Sequence, residues 1–580
     1  MQAKSKSNKP PVQASLIIND GPVTTAEGMQ IPRWMPLAIV VLTAVVYLKS
    51  VSNNLTNFDD DFYINKNPFL RDLSAKGIAS IFTSFYNGNY HPFTTLTYLF
   101  EFNFFGEAPM IYHLVNVLLH LGCVFAVYKF TEQLTGKAFV AAVVSVLFAL
   151  HPMHVESVAW VSERKDVMYG LFYVLALRSY LSFIESPAFN AKKYVAVVAL
   201  FIAALFSKSA AVTFPLVLLA IDYYKGRQFN SKLLLEKVPL LLLSLVMGIV
   251  NIKAQESAGA IISLPYSIMN NIFIFTSGPA FYIFRLFVPF QLSLLHGFPA
   301  VHDGLLPVQY YLSLPFLLLV VFLGIRKAGH YRKVVIFGLL FFIICLSVML
   351  QLIPVGAAFA SERYTYIAYI GLFLIMGELL YGALASKYRQ HYLTAFAAFV
   401  ALCCVLTFNR IGVWKDSEVL LTDLINSNQD VADISYYYWL RGTDRVANGQ
   451  VKGAVADFSQ AISQKPDFAE AYDNRAVAFA QTGNVEGAIQ DFTKAAAINP
   501  ANPQPFYNRA SLKASTGNFP GALEDYTAFL SRAPRNGKAY VDRGMVKLSM
   551  QDTSGACEDW NKATTFGNDE GVPFMQQFCK

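Results

Sequence analysis

The chain has 580 residues, of which 54% are hydrophobic, 14% aromatic and only 15% charged. Soluble proteins carry about 25% charged residues, so this composition, with a mean hydropathy of +0.39, excludes an ordinary soluble enzyme. The net charge of +7 arises from lysines and arginines between apolar stretches, which removes the need for a nucleic-acid partner.

The first 33 residues are polar and carry Lys4, Lys6 and Lys9. No small-residue cleavage site precedes the first apolar stretch. We therefore expect residues 1–33 to be a cytoplasmic tail rather than a cleaved signal peptide.

Twelve apolar stretches follow, each a candidate membrane helix: 34–49, 111–130, 138–151, 167–184, 194–206, 210–223, 238–252, 268–290, 309–325, 333–353, 364–384 and 392–409. Basic loops should face the cytoplasm, and two of them, 225–237 and 326–333, enclose three stretches. Because the number of crossings between them must be even, we expect 268–290, with Pro279 and Arg285, not to cross. The sequence predicts an all-α polytopic bundle of about eleven spans over residues 34–409.

The same count assigns the polar motifs to one face of the membrane. It leaves the amino terminus inside and the carboxyl terminus outside. Asp59 to Asp61, His151 to Asp166 and Ser361 to Tyr366 then all lie on the outer side. Their convergence predicts an extracytoplasmic site.

Beyond a linker at 410–434, residues 435–580 repeat with a period of 34. Four positions keep this register, and their members are Tyr438, Tyr472, Phe506 and Tyr540; Arg441, Arg475, Arg509 and Arg543; Ala454, Ala488, Ala522 and Ala556; Asp457, Asp491, Asp525 and Asp559. This period is the tetratricopeptide signature. It predicts a solenoid of about four helix pairs, whose groove binds polypeptide segments. A spacer or oligomerisation module is the alternative.

Three consecutive carboxylates, Asp59, Asp60 and Asp61, follow the first span. Crowded carboxylates at a low-dielectric surface repel one another, so at least one has a raised proton affinity. Such a group suits a general base near neutral pH. A solvated loop or a helix cap is the alternative interpretation.

A second motif runs from His151 through His154 and Glu156 to Arg164 and Asp166. The two histidines with a glutamate have the residue types of a metal site, but Pro152 disrupts their helical spacing. We expect His154, Glu156 and Asp166 to order the outer loop. Arg164 would supply a planar cation for a phosphate.

A third motif, Glu362-Arg363, opens a later span. Arg363 is a second candidate for a phosphate, with Glu362 orienting it; an interfacial anchor is the alternative. The polar series His113, Asn116 and His120 recurs at helical spacing, which predicts a lining of the bundle interior. Lys208, between two short spans, is either a buried lysine that needs an anion or a loop residue.

Six short motifs now stand in order along the chain: Phe58-Asp59-Asp60, Asn67-Pro68, Tyr90-His91-Pro92, His113 to Asn116, His151 to Glu156, and Glu362-Arg363. Together with the repeats, they resemble the transmembrane and tetratricopeptide repeat-containing O-mannosyltransferases and their bacterial relatives. These are integral-membrane glycosyltransferases of the GT-C superfamily. The resemblance spans residues 34 to 560.

The resemblance implies a polyprenyl-phosphate sugar donor, such as the mannose donor, and Ser/Thr hydroxyls of exported proteins as acceptors. It also implies that the acidic pair of the first outer loop, Asp59 and Asp60 here, carries catalysis. His91 stands where many relatives have arginine, so a phosphate contact at this position would depend on its protonation.

The expected mechanism is a single, inverting displacement. Asp59 or Asp60 takes the acceptor proton while Arg164, Arg363 and His91 neutralise the leaving phosphate. No metal site is expected in the protein itself, but a divalent cation beside the acidic pair stays an alternative. The expected location is the bacterial inner membrane, with the site and the repeats on the periplasmic side, or the lumenal side of an ER membrane. A non-catalytic scaffold and a transporter of lipid-linked substrate stay open as other functions.

Overall fold

The computed structural model describes residues 31–260, 266–299, 301, 303–350, 358–428 and 433–579. The predicted cytoplasmic tail, residues 1–33, lies outside this part of the chain except for its last three residues. Within the described ranges the protein is helical apart from one small strand pair.

Seventeen α-helices precede the repeats, and they are numbered here in chain order: α1 Met35–Tyr47, α2 Ala75–Thr83, α3 Pro92–Phe105, α4 Pro109–Thr135, α5 Ala138–Leu150, α6 Val155–Ala159, α7 Arg164–Ile184, α8 Ala191–Ser207, α9 Phe214–Lys225, α10 Ser231–Leu235, α11 Val238–Ser257, α12 Ile268–Phe287, α13 Val308–Lys327, α14 Arg332–Ser347, α15 Thr365–Ala383, α16 Arg389–Ile411 and α17 Ser417–Ser427. The antiparallel pair consists of β1, His296–Gly297, and β2, Ala358–Ala360.

Eight helical segments of the described chain are long and apolar enough to cross a membrane, and a ninth is α5 joined to α6 across a 59° bend. The protein is therefore a multi-pass membrane protein. The expectation of about eleven spans also counted α8 and α9, which have 17 and 12 residues. Helix α12, with Pro279 inside it, is not among the eight.

Small residues allow the central helices to pack closely. A Cβ atom on Gly338 of α14 would lie 2.4 Å from the carbonyl oxygen of Gly371 on α15, so the two backbones touch. Gly377 of α15 also packs closely against α5, since a Cβ atom there would lie 3.1 Å from a side-chain carbon of Val140. Close approach at small residues is how membrane helices associate, since lipid supplies no hydrophobic drive between them.

Nine helices form the carboxyl-terminal solenoid: α18 Ser435–Ala447, α19 Val451–Gln464, α20 Ala469–Gln481, α21 Val485–Ile498, α22 Gln504–Ser515, α23 Phe519–Arg532, α24 Gly537–Ser549, α25 Thr553–Thr565 and α26 Val572–Phe578. The first eight form four helix pairs. The ninth is held to α25 by a disulfide between Cys557 and Cys579, a pairing that the sequence alone left open.

The 34-residue register is a ladder of ion pairs. In each repeat the arginine of the first helix binds both oxygens of the aspartate sixteen residues later; for Arg475 and Asp491 the distances are 2.7 and 2.9 Å. From the second repeat onward the same arginine also donates to a hydroxyl of the preceding repeat, as Arg475 does to Ser459. Each arginine therefore ties its own helix pair together and fastens it to its neighbour.

We expect Asp491→Asn to lower the stability of the repeats by about 1.5–3 kcal/mol, the usual contribution of a hydrogen bond to a charged group. The variant leaves Arg475 without its carboxylate. Asp467→Asn, in an exposed turn, is the matched control and should change nothing. Thermal unfolding of the purified protein measures both variants. Equal melting temperatures for Asp491→Asn and the wild type would contradict a stabilising role of the ion pairs.

Candidate functional site

The loop that carries the three aspartates is fastened to a distant part of the chain. The Asn53 side chain donates to the carbonyl of Ile411 at 3.2 Å, and the Asn54 backbone N–H donates to the carbonyl of Lys415 at 2.8 Å. One step further, the Asn57 N–H donates to the hydroxyl of Ser417 at 2.9 Å. The acid loop, residues 53–61, is thus fixed between the membrane helices and the start of α17.

Asp60 is a buried connector inside this loop. Its Oδ2 accepts from the backbone N–H and hydroxyl of Thr56 at 2.9 and 3.0 Å, and its Oδ1 accepts from the same two groups of Ser162 at 2.9 and 2.5 Å. Burial raises the pKa of Asp60, and these four donors oppose that rise. Because its oxygens are occupied, Asp60 fixes the acid loop to the segment that opens α7.

Asp59 is the carboxylate that faces open space. Its side chain has no hydrogen bond or ion pair with any described residue, and it lines a cavity. Burial raises the pKa of Asp59, Lys165 and Arg363 lower it, and Glu163 and Asp60 add to the rise. A carboxylate with unoccupied oxygens and a raised pKa has the properties of a proton acceptor.

Glu163 gathers three cations beside Asp59. Its carboxylate lies 3.1 Å from the Nζ of Lys165, 3.5 Å from the Nζ of Lys208 and 3.3 Å from the Nε of Arg363. Lys208 also pairs with Asp166 at 2.5 Å. Lys208 is therefore a buried lysine with anionic partners, one of the two expectations for it.

Arg363 lies in this group, but its supporting partner is not the one expected. Its guanidinium pairs with Glu156, and its backbone N–H donates to the same carboxylate at 3.0 Å. Glu362, predicted to orient it, is wholly buried and instead accepts from Arg410 at 3.2 Å. The prediction for Glu362 was wrong because consecutive residues at a helix start point in different directions.

Arg164 also differs from its expected role. It is completely buried, and its Nη1 donates to both oxygens of Glu101 at 2.6 Å. Its Nε donates to Asn116 at 2.8 Å, and its Nη2 donates to the carbonyl of Tyr112 at 2.8 Å. Each of its three nitrogens donates to a protein group, and Arg164 is not among the residues that line the cavity at Asp59, so it holds α3 and α4 to α7 rather than facing a phosphate there.

His91 precedes α3 and lines the same cavity as Asp59. Burial lowers the pKa of His91 well below its ordinary value, and the charges of Lys165 and Lys208 lower it further. A neutral imidazole at neutral pH can donate one hydrogen bond to a phosphate but adds no positive charge.

The remaining predicted residues support the surrounding structure. The Nδ1 of His154 lies 2.8 Å from the carbonyl oxygen of Phe148, and Asp166 accepts from the Ser157 hydroxyl at 3.1 Å. Asn116, the partner of Arg164, is buried in the bundle interior as expected. Among the described residues, no group of three or more His, Cys, Asp and Glu side chains is arranged to hold a metal ion.

The cavity itself has a volume of about 590 Å³. Its polar part is lined by three cationic side chains, Lys165, Lys208 and Arg363, and by two acidic ones, Asp59 and Glu163. Its other wall comes from α11 and the segment just after α14. The apolar residues there are Ile252, Val348 and Met349, with Val212 beside them, and Asn251 and Gln255 of α11 line the same wall. The cavity is thus charged at the acid loop, and its opposite wall combines apolar side chains with two amides.

Sequence reasoning brought Asp59, His91 and Arg363 to this cavity but missed Glu163 and Lys165. Both lie directly beside Arg164, the residue of this segment that was predicted to bind phosphate. A usable signal was present, because several charges directly beside an apolar span are costly unless they serve a site.

Comparisons with known proteins agree with this architecture. Residues 440–503 match the family described as Tetratricopeptide repeat. A protein O-mannosyl-transferase from Caenorhabditis elegans is 23% identical over 462 residues, which is 75% of this chain and 63% of that protein. TMTC2 from Mus musculus, also a protein O-mannosyl-transferase, is 33% identical over 106 residues, 18% of this chain and 13% of its own.

TMTC4 from Homo sapiens, another protein O-mannosyl-transferase, is 29% identical over 173 residues, covering 26% of this chain and 23% of its own. The chain spans less than two thirds of the length of these relatives. A crystal structure of MamA is 18% identical, with a TM-score of 0.25, over 26% of this chain and 86% of that one. The homologues of this chain are transmembrane and tetratricopeptide repeat-containing protein O-mannosyl-transferases.

Proposed function

We propose that the protein is a glycosyltransferase that moves a sugar, mannose by its homologues' names, from a polyprenyl-phosphate donor to Ser/Thr hydroxyls of exported proteins. The observation that carries this proposal is the two-sided cavity. Asp59 and three cations form one part of it, and Ile252, Val348 and Met349 form the other.

This cavity fits an amphiphile with an anionic headgroup. Lys165, Lys208 and Arg363 match a phosphate, and the apolar side chains match the first isoprene units of a lipid. Outside the cavity, α11 exposes Leu242, Leu245 and other apolar side chains, as a helix in contact with lipid does. A lipid-linked donor therefore enters from the bilayer and places its sugar beside Asp59.

The chemistry follows from the charges. Asp59 accepts the proton of the acceptor hydroxyl while the hydroxyl oxygen bonds to the anomeric carbon. The bond from that carbon to the phosphate oxygen breaks, and its electron pair leaves with the polyprenyl phosphate. Lys165 and Arg363 stabilise the charge that develops there. One displacement from the opposite side inverts the anomeric configuration.

Two features support the extracytoplasmic placement of the site. The end of the bundle away from the cavity carries basic residues at helix ends, among them Lys137, Lys193 and Lys225, and such residues mark the cytoplasmic side. Helix α7, whose first turn lies at the cavity, spans about 31 Å to that end. The disulfide between Cys557 and Cys579 belongs to an oxidising compartment.

The proposal is tested with the purified full-length protein, a polyprenyl-phosphate donor with a labelled sugar, and a Ser/Thr peptide. Transfer of label to the peptide is the expected result. Mass spectrometry of exported proteins from cells with and without the enzyme then identifies the added sugar by mass. An unlabelled peptide and unchanged masses would contradict the proposal.

We expect Lys165→Gln to raise the donor KM by about ten- to a hundredfold, because a charge-assisted contact of about 1.5–3 kcal/mol with the phosphate is lost. The acceptor KM should stay constant. Lys66→Gln is the matched control, since Lys66 pairs with Asp61 at the surface. A change in both KM values would assign Lys165 to general support of the site instead.

A further inference from the structure

The first helix of the repeats departs from the other three repeats at one exposed position. Tyr436 occupies the place that Glu470, Gln504 and Lys538 hold in the later repeats, 34 residues apart. All four side chains are exposed, and Tyr436 exposes 43% of its surface. Because the solenoid tolerates glutamate, glutamine or lysine there, its packing does not require the tyrosine.

Tyr436 belongs to a continuous aromatic surface. Its ring lies 5.5 Å from that of Trp439 with an interplanar angle of 33°, and the Trp439 ring lies 5.8 Å from that of Phe468 on the next repeat. Trp439 is itself replaced by Asp473 at the equivalent place in the second repeat. These three rings, Tyr436, Trp439 and Phe468, are called the aromatic platform below.

The platform begins beside the acid loop. The ring of Phe58, the residue before Asp59, lies 6.5 Å from the ring of Tyr437, and the Asn57 side chain donates to the carbonyl of Leu440 at 3.1 Å. Burial raises the pKa of Tyr436, and the charge of Asp59 adds to the rise. The ring of Tyr436 lies 5.9 Å from that of Tyr437, so the platform begins next to the residues that pack against the acid loop.

The platform also lies on the side of Asp59 that the repeats occupy. The cations that match the leaving phosphate, Lys165 and Lys208, belong to the membrane helices on the cavity side. In a single displacement the nucleophile approaches the anomeric carbon opposite to the leaving group, so the acceptor must come from elsewhere than the cation cluster. The rim that α18 forms beside Asp59 is a surface from which it can come.

We propose that the aromatic platform binds an extended segment of the acceptor polypeptide that carries an aromatic, proline or aliphatic side chain within a few residues of the modified hydroxyl. This inference rests on the proposed function and adds the acceptor preference to it. Flat rings hold such side chains by burying them and by direct ring contacts. The extended segment then continues onto the concave face of the second repeat.

The test compares full-length wild-type protein with Tyr436→Gln, which places at 436 the residue that the third repeat carries. Two peptides are used, each with one threonine, flanked by phenylalanine in one and by serine and glycine in the other. We expect Tyr436→Gln to raise the KM of the phenylalanine peptide about tenfold, to change its kcat less than twofold and to leave the serine-glycine peptide unaffected. Tyr436→Phe should keep the wild-type KM.

Glu470→Gln is the matched control at the same position of the second repeat, and its kinetics should equal those of the wild type. Equal KM values for Tyr436→Gln and wild type would overturn the inference. A raised donor KM with a constant acceptor KM would overturn it too, because the Tyr436 ring would then contact the sugar of the donor and not the acceptor. Wild-type transfer, measured first, separates these outcomes from failure of the proposed function, in which no peptide is labelled.

Discussion

Replacing Asp59 by asparagine is expected to reduce sugar transfer by about 10²–10⁴, the usual contribution of a general base. The side chain keeps its shape but can no longer accept the proton. No described residue depends on the Asp59 carboxylate for a hydrogen bond, so the melting temperature should be unchanged. The rate of label transfer and the unfolding temperature are measured on the same purified sample.

The neighbouring aspartates supply the controls. Asp61 pairs with Lys66 at 2.5 Å outside the cavity, so Asp61→Asn should retain most activity. Asp60→Asn should lower both activity and melting temperature, because Asp60 connects Thr56 to Ser162. If Asp59→Asn kept full activity and only Asp60→Asn lost it, Asp60 rather than Asp59 would be the general base.

The pH dependence of kcat/KM is a second test of Asp59 as the general base. A base is active when deprotonated, and the pKa of Asp59 is raised above its ordinary value. The wild-type kcat/KM should therefore fall on acidification at a higher pH than an ordinary aspartate, with a pKa of about 3.9, would cause. That acid limb should persist in the residual activity of Asp60→Asn and be absent from that of Asp59→Asn.

Arg164→Leu is expected to destabilise the membrane domain by about 3–5 kcal/mol, because it leaves the Glu101 carboxylate buried without its partner. The guanidinium lies within 2.6 Å of that carboxylate and is completely buried. Thermal unfolding in detergent should show a large fall in melting temperature. Arg71→Leu, which breaks an exposed pair with Glu107 at 3.9 Å, is the control and should change it little.

The double variant Arg164→Leu, Glu101→Leu separates the two roles that have been considered for Arg164. If the arginine is structural, removing both charges should recover much of the lost stability, since no charge is then left unpaired. A normal melting temperature for Arg164→Leu with a raised donor KM would restore the phosphate contact that the sequence suggested.

The repeats could be predicted from the sequence in detail because their contacts are periodic. The arginine and aspartate that recur every 34 residues are the two ends of one ion pair. A contact that recurs in every repeat requires the same two residue types at the same spacing, so it is visible as a sequence pattern. The first repeat differs from the others where it meets the acid loop, since the ring of Tyr437 lies 6.5 Å from that of Phe58.

The site could be predicted only in part, since its contacts occur once. The structure places Asp59 and Arg363, two of the predicted site residues, at one cavity. Arg164 and Lys165, which differ by one position, point in different directions. One residue turns a helix by about 100°, which sends Arg164 into the core toward Glu101 and Lys165 into the cavity. The partner of Arg164, Glu101, lies 63 residues earlier in the chain, so the charges near Arg164 and Lys165 in the sequence could not show which of the two faces the cavity.

The contacts between the acid loop and the segment around α17 form only late in synthesis, because the two partners lie far apart in the chain. Asn53 and Asn57 bind residues 358 and 360 positions later in the chain. At about 5–20 residues per second, a ribosome needs roughly 20–70 s to make the intervening chain. During that interval the acid loop has been made but lacks the partners that hold it. The proposed site is therefore complete only after the linker and the first repeat have been synthesised.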